Sequence, residues 1–195
     1  MNTSQNLYVI ILITLIIFIY KLLYEPFKNV LVLSQFDNQK YSVQDTFDNP
    51  EEAANQLSLI RGRIDRLLSY LNNQYPENSK VSRLIRRFNP DNLREALDEE
   101  DSTSFTINKG EEIHLCLRSK KGERNLHDPN LLIFVVIHEL AHVMSVTIGH
   151  NDEFKENFEF LLNEARDAKI YYPINYQDQP KQYCGLKVKN NPLFK

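Results

Sequence analysis

Cysteine is scarce in this chain: two occur in 195 residues, Cys116 and Cys184, and no Cys-x-x-Cys spacing is present. That pattern excludes a cysteine-based metal site and gives no disulfide framework. A reducing setting fits it best, with a single Cys116–Cys184 bridge as the alternative. Charge of one sign is also lacking. Lys and Arg total 23 against 26 Asp and Glu, a net charge of −3, so the overall balance gives no reason to expect nucleic acid or an acidic membrane surface as partner. The first six residues carry no Lys or Arg, and no small-x-small cleavage site follows the apolar run behind them. A secretory signal peptide is therefore the weaker reading of the N-terminus.

What is present begins with that run. Residues 7–20 are apolar apart from Thr14, and the stretch continues through Lys21 to Tyr24. As a helix it is about 27 Å long, enough to cross a hydrocarbon core with Lys21 snorkelling and Tyr8, Tyr20 and Tyr24 at the interfaces. The expectation is a single-pass anchor over residues 1–24. Lys21, Lys28 and Lys40 follow it, which places the remaining chain on the cytosolic side, or on the membrane or interior of a virion if the protein is viral. Over all 195 residues the sequence is 42% hydrophobic and 25% charged, the profile of one globular domain plus an appendage.

The chain is organised around residues 130–154, NLLIFVVIHELAHVMSVTIGHNDEF. On a helix, His138 and His142 lie four apart on one face and can offer two imidazole nitrogens to one zinc ion. Glu139 sits one step round, where its carboxylate reaches a water on the metal, the arrangement of a zinc peptidase. Asp128 and Pro129 start this helix and Gly149 stops it, by the usual preferences of caps. The run 131–137 is apolar all round, as a helix buried in the middle of a domain requires. A catalytic zinc needs a third protein ligand and an open position. His150, just past the glycine stop, is favoured, because three of the five histidines then converge; Glu164 on the following helix is the other candidate.

His138-Glu139-Leu140-Ala141-His142 followed by Gly149-His150 and Phe154 resembles the WLM and SprT-like zinc metallopeptidases. The run through Phe158, Leu161, Leu162, Glu164 and Ala165 to Tyr183-Cys184-Gly185 is similar to WLM-type proteins of large DNA viruses. The resemblance, over residues 103–192, implies His138, His142 and His150 as metal ligands, Glu139 as general base, and a polypeptide substrate. It also raises two rivals. One is a virion or membrane-associated structural protein, contacting other viral structural proteins, with a closed zinc site. The other is a protease for DNA–protein crosslinks.

Elsewhere the reading is coarser. Residues 25–50 look like a connector with an edge strand at 30–33. Residues 51–195 look like an α+β, zincin-like domain with a small mixed sheet, helical over 51–100 and catalytic over 103–195. Leu57, Ile60, Ile64, Leu67, Leu68 and Leu71 mark one long amphipathic helix, Val81, Leu84, Ile85 and Phe88 a second, and residues 91–98 a short third. Residues 103–108 and 112–118 read as a hairpin turning at Asn108-Lys109-Gly110. Arg61, Arg63, Arg66, Arg83, Arg86 and Arg87 read as solvated helix faces balanced by nearby acids rather than as a nucleic-acid patch. His114 and His127 have no partner at ligand spacing.

Overall fold

The computed structural model describes residues 3–23, 29–97, 103–120 and 122–194. Five helices and two sheets result, an α+β arrangement. Helix α1 (Thr3–Leu23) is followed by strands β1 (Asn29–Leu33) and β2 (Lys40–Gln44), then by α2 (Pro50–Gln74) and α3 (Ser79–Arg87). Strand β3 (Leu93–Glu95) precedes β4 (Phe105–Ile107) and β5 (Glu112–Leu115). Helices α4 (Pro129–Met144) and α5 (Asp152–Asp167) follow, and the hairpin β6 (Lys181–Tyr183) and β7 (Leu186–Val188) closes the chain.

The main sheet is mixed, in the order β1-β2-β3-β5-β4. The outer pairs β1–β2 and β5–β4 are antiparallel, and β3 is parallel to both of its neighbours. The stretch expected as a connector thus supplies a hairpin to this sheet. Tyr41 and Val43 are buried on alternate positions, and the side chains of Ser34 and Asn55 join the turn to α2.

The expected helix over 91–98 is a second difference. Asn89 accepts a hydrogen bond from the Asp91 N–H and starts a single 3₁₀ turn, after which Leu93 and Glu95 bury at a period of two. Buried Glu95 is why the strand prevails. It accepts the Arg118 Nε–H at 2.8 Å and the Gln44 N–H at 2.8 Å, two bonds it reaches from extended backbone paired between β2 and β5. Asp98, where the expected helix ends, lies outside the described residues with Glu99, Glu100 and Asp101.

Helix α4 packs against α2, α3, α5, β4 and β5. A helix with neighbours on all sides must be apolar on all sides, and residues 131–137 are buried without exception. Asp128 caps it, accepting from the N–H groups of Asn130 and Leu131 at 3.0 Å each.

The two cysteines, 68 positions apart in sequence, are joined as a disulfide with Cα atoms 6.3 Å apart. The bridge is the alternative that two cysteines leave beside the reducing setting their number favours. Nothing in sequence spacing reveals that β5 and the C-terminal hairpin meet.

Helix α1 exposes Tyr8 to Ile19 as an apolar surface broken only by Thr14, whose hydroxyl donates to the Ile11 carbonyl. Among the described residues no helix is long and apolar enough to cross a membrane. The expected span over 7–24 is therefore unsupported here, and Tyr24 and Lys28 lie outside the described residues.

Candidate active site

Helix α4 ends at Met144, five residues before the expected glycine stop. Ser145 takes over as cap, donating its hydroxyl to the Ala141 carbonyl at 2.7 Å and accepting from buried Asn157. Cations gather at this helix terminus, where the macrodipole favours them. Arg83 donates to the Met144 carbonyl, Arg87 to those of Val143 and Ser145, and Lys109 Nζ to Thr147 at 2.6 Å. Arg61 is paired with Asp91 at 2.9 Å. Three of the six arginines noted in sequence are thus engaged within the fold.

Residues 145–151 then turn back over the helix. Glu153 accepts from the N–H groups of Val146 and Thr147 and from the Thr147 hydroxyl, at 2.9, 3.0 and 2.5 Å. These bonds hold its carboxyl down at about 2. Gly149 is left-handed, with φ of 88°, and Asn151 caps α5 by accepting from the Phe154 N–H.

That turn delivers His150 to the two helical histidines. One ring nitrogen from each of His138, His142 and His150 lies within 4.8 Å of the others, and the Nε2 atoms of His138 and His150 are 3.0 Å apart. Nitrogens on a tetrahedral zinc with bonds of about 2.0–2.1 Å lie roughly 3.3 Å from one another, so the donor set fits that ion. Burial, then the His142 and His150 rings, push the His138 imidazole down to about 3. Burial, then His150 and Lys109, push His142 down to about 4. Both are neutral at physiological pH, with lone pairs free to ligate. Phe154 backs all three rings, its centroid 4.3 Å from His142, 4.7 Å from His150 and 4.8 Å from His138.

Glu164, the other candidate, does not join them. Its Oε1 accepts the Tyr75 hydroxyl at 2.8 Å. His114 pairs with Glu112 at 2.7 Å and stacks on Phe105. His127 departs from expectation: its Nε2 is 3.4 Å from Cys184 Sγ, grouping it with the cysteine pair.

Glu139 is 5% exposed, and burial pushes its carboxyl up to about 7. The Thr106 hydroxyl donates to its Oε2 at 2.8 Å, an opposing but smaller influence. Thr106 belongs to β4, which pairs with β5 on one side and borders the cleft with its neighbours Ser104 and Phe105. Gly110 permits this approach. It has φ of 111°, and a Cβ there would lie 2.8 Å from the Arg87 carbonyl oxygen and from Val143. The cleft has a volume of about 770 Å³, with His138, Glu139, His142 and His150 on its walls and Leu186 opposite.

An α+β fold that sets a His-Glu-x-x-His helix beside an edge strand, with a third histidine returned by the next turn, has the layout of a hydrolase of the HExxH kind. A family model described as the WLM domain matches residues 36–192, and the chain belongs to that family. It is 38% identical over 198 residues to the uncharacterized protein R325 of Acanthamoeba polyphaga mimivirus, covering 97% of this chain and all of that one. It is 31% identical over 138 residues to the uncharacterized protein 136R of Invertebrate iridescent virus 6, covering 69% and 77% of the two chains. The fold is similar to that of Wss1 from Saccharomyces cerevisiae, with a TM-score of 0.50 and 21% identity over 65% of this chain and 87% of Wss1.

Thr106, Lys109 and Glu153 were not legible as site residues. Each acts through a fold-dependent contact, and none has a motif of its own.

Proposed function

We propose that this chain is a zinc-dependent metallopeptidase, associated with a membrane through α1, that hydrolyses peptide bonds in polypeptide substrates. The observation that carries this reading is the meeting of three imidazoles and one buried carboxylate in a cleft bordered by an edge strand. His138, His142 and His150 would hold the metal. A zinc ion so held supplies Lewis acidity and lowers the pKa of the attacking water to about 7.

Glu139, with a carboxyl near neutrality, takes the proton of that water and passes it to the departing amine. The Thr106 hydroxyl orients the carboxylate through Oε2. An extended peptide laid along β4 by strand addition brings its carbonyl past Glu139. Among the described residues the histidine group offers three donors, which favours a catalytic site with an open position over a closed structural one.

The apolar exposure of α1 from Tyr8 to Ile19 supports membrane association, since a helix apolar on every face calls for a non-aqueous surrounding. Lys40 and the lysines nearer the helix favour the cytosolic side for the domain, or the virion interior. Protease protection of a C-terminal tag in sealed membranes tests this; a lumenal tag refutes the orientation.

Zinc analysis and peptide digestion by the purified full-length protein test the chemistry. Glu139→Gln is expected to keep zinc and to lose roughly 10²- to 10⁴-fold in turnover. Full activity in that variant refutes the role of Glu139, and a metal-free, inactive wild type refutes the reading as a whole.

A further inference from the structure

Beside the main cleft lies a second hollow of about 170 Å³, lined by Phe134 and Val135 of α4 and by Tyr183, Leu186 and Val188 of the C-terminal hairpin. The two spaces share lining residues at Ser104, His138, Glu139 and Leu186, so they adjoin. Val135 precedes Glu139 by four residues, which puts this hollow one helical turn, about 5.4 Å, along α4 from the general base.

We propose that this hollow is a specificity pocket that takes one aliphatic side chain, of leucine or methionine size, from the residue next to the scissile bond. The proposal rests on the peptidase reading above and names the substrate class that reading leaves open. Size is the first argument: a cavity of about 150 Å³ holds a benzene-sized apolar group, so 170 Å³ has room for a leucine or methionine side chain.

Chemistry is the second argument. Phe134 and Val135 are buried, and the Tyr183 hydroxyl is hydrogen-bonded to Ser104, so the walls present carbon. The Glu139 carboxylate stands at the mouth, and an acidic side chain entering past it would be repelled and desolvated without a partner. Leu186 is the third. It is 56% exposed on the rim, apolar area that a substrate side chain would cover. The Cys116–Cys184 disulfide ties this wall to the chain beyond β5, which keeps the pocket formed in the absence of ligand.

The test uses full-length, zinc-loaded protein and three peptide hydroxamates that differ only in the side chain next to the chelating group: methyl, isobutyl or carboxymethyl. Calorimetric titration is expected to show the isobutyl compound binding roughly 10-fold tighter than the methyl one, about 1.4 kcal/mol, and the carboxymethyl compound weakest. Val135→Phe fills the pocket and is expected to bring isobutyl and methyl within about twofold, with zinc content and methyl affinity unchanged. Leu186→Ser, on the exposed rim, is expected to remove about half of the isobutyl advantage on a logarithmic scale. Equal binding of all three compounds to the wild type overturns the pocket and leaves the peptidase reading standing. Binding of none of them overturns the peptidase reading and the pocket with it.

Discussion

Reducing the Cys116–Cys184 bond perturbs the wall of the cleft without touching a metal donor. The bond closes a loop of 68 residues that contains α4 and α5. In the chain-entropy relation, a loop of that length contributes roughly 4 kcal/mol through restriction of the unfolded chain. For a chain of this size, each 1 kcal/mol moves Tm by about 2–4 °C, so reduction is expected to lower Tm by roughly 8–16 °C. Calorimetry of the full-length protein with and without a phosphine reductant reads this shift, and the Cys116→Ala/Cys184→Ala double variant should reproduce it in the oxidised buffer. A local readout separates the tether from general weakening. Lys187 and Lys189 are exposed on and just after β7, and trypsin is expected to cut there much faster in the reduced protein well below its Tm. A Tm that falls by less than about 3 °C, with unchanged cutting at the hairpin, would refute the assignment of the disulfide as the clasp of that wall.

Three further outcomes follow from the site. His150→Ala is expected to lower zinc affinity at least 10-fold by equilibrium dialysis, whereas Glu164→Gln should leave it within about twofold; the reverse result would reassign the third donor. Glu153 is held at about 2 in the folded protein against an ordinary 4.5, so its contribution is complete above about pH 4.5 and is lost as pH falls toward 2. Protection of the Val146 and Thr147 amides from exchange in metal-free protein, taken relative to their intrinsic rates at each pH, should fall across that window in the wild type and be low throughout in Glu153→Gln. Arg118→Met removes the guanidinium that pairs with buried Glu95 and is expected to cost about 3–5 kcal/mol in urea unfolding; a loss below 1 kcal/mol would refute a stabilising role for that pair.

The parts of the site that lie on one helix were legible in sequence. The four-residue spacing of His138 and His142, the Asp128–Pro129 start and the apolar run 131–137 each act within a few residues, so local rules reach them. His150 was reachable because Gly149 marks a reversal. Thr106, Lys109 and His127 meet the site or the disulfide across gaps of 33 or more residues, and no local rule pairs them. The end of α4 was misplaced for a related reason. Arg83, Arg87 and Lys109 take up its terminal carbonyls from elsewhere in the chain, so the helix can stop before its glycine. Strand β3 differs from the helix its local sequence suggests because Arg118, a partner of Glu95, lies 23 residues beyond it.

Helix α1 ends at Leu23 and the first strand of the sheet begins at Asn29. Six peptide steps reach at most about 20 Å, so whatever receives α1 holds the whole domain on a leash shorter than the domain is wide. With α1 held at a surface, as proposed above, polypeptides fixed to that surface would meet the cleft at a higher local concentration than freely diffusing chains.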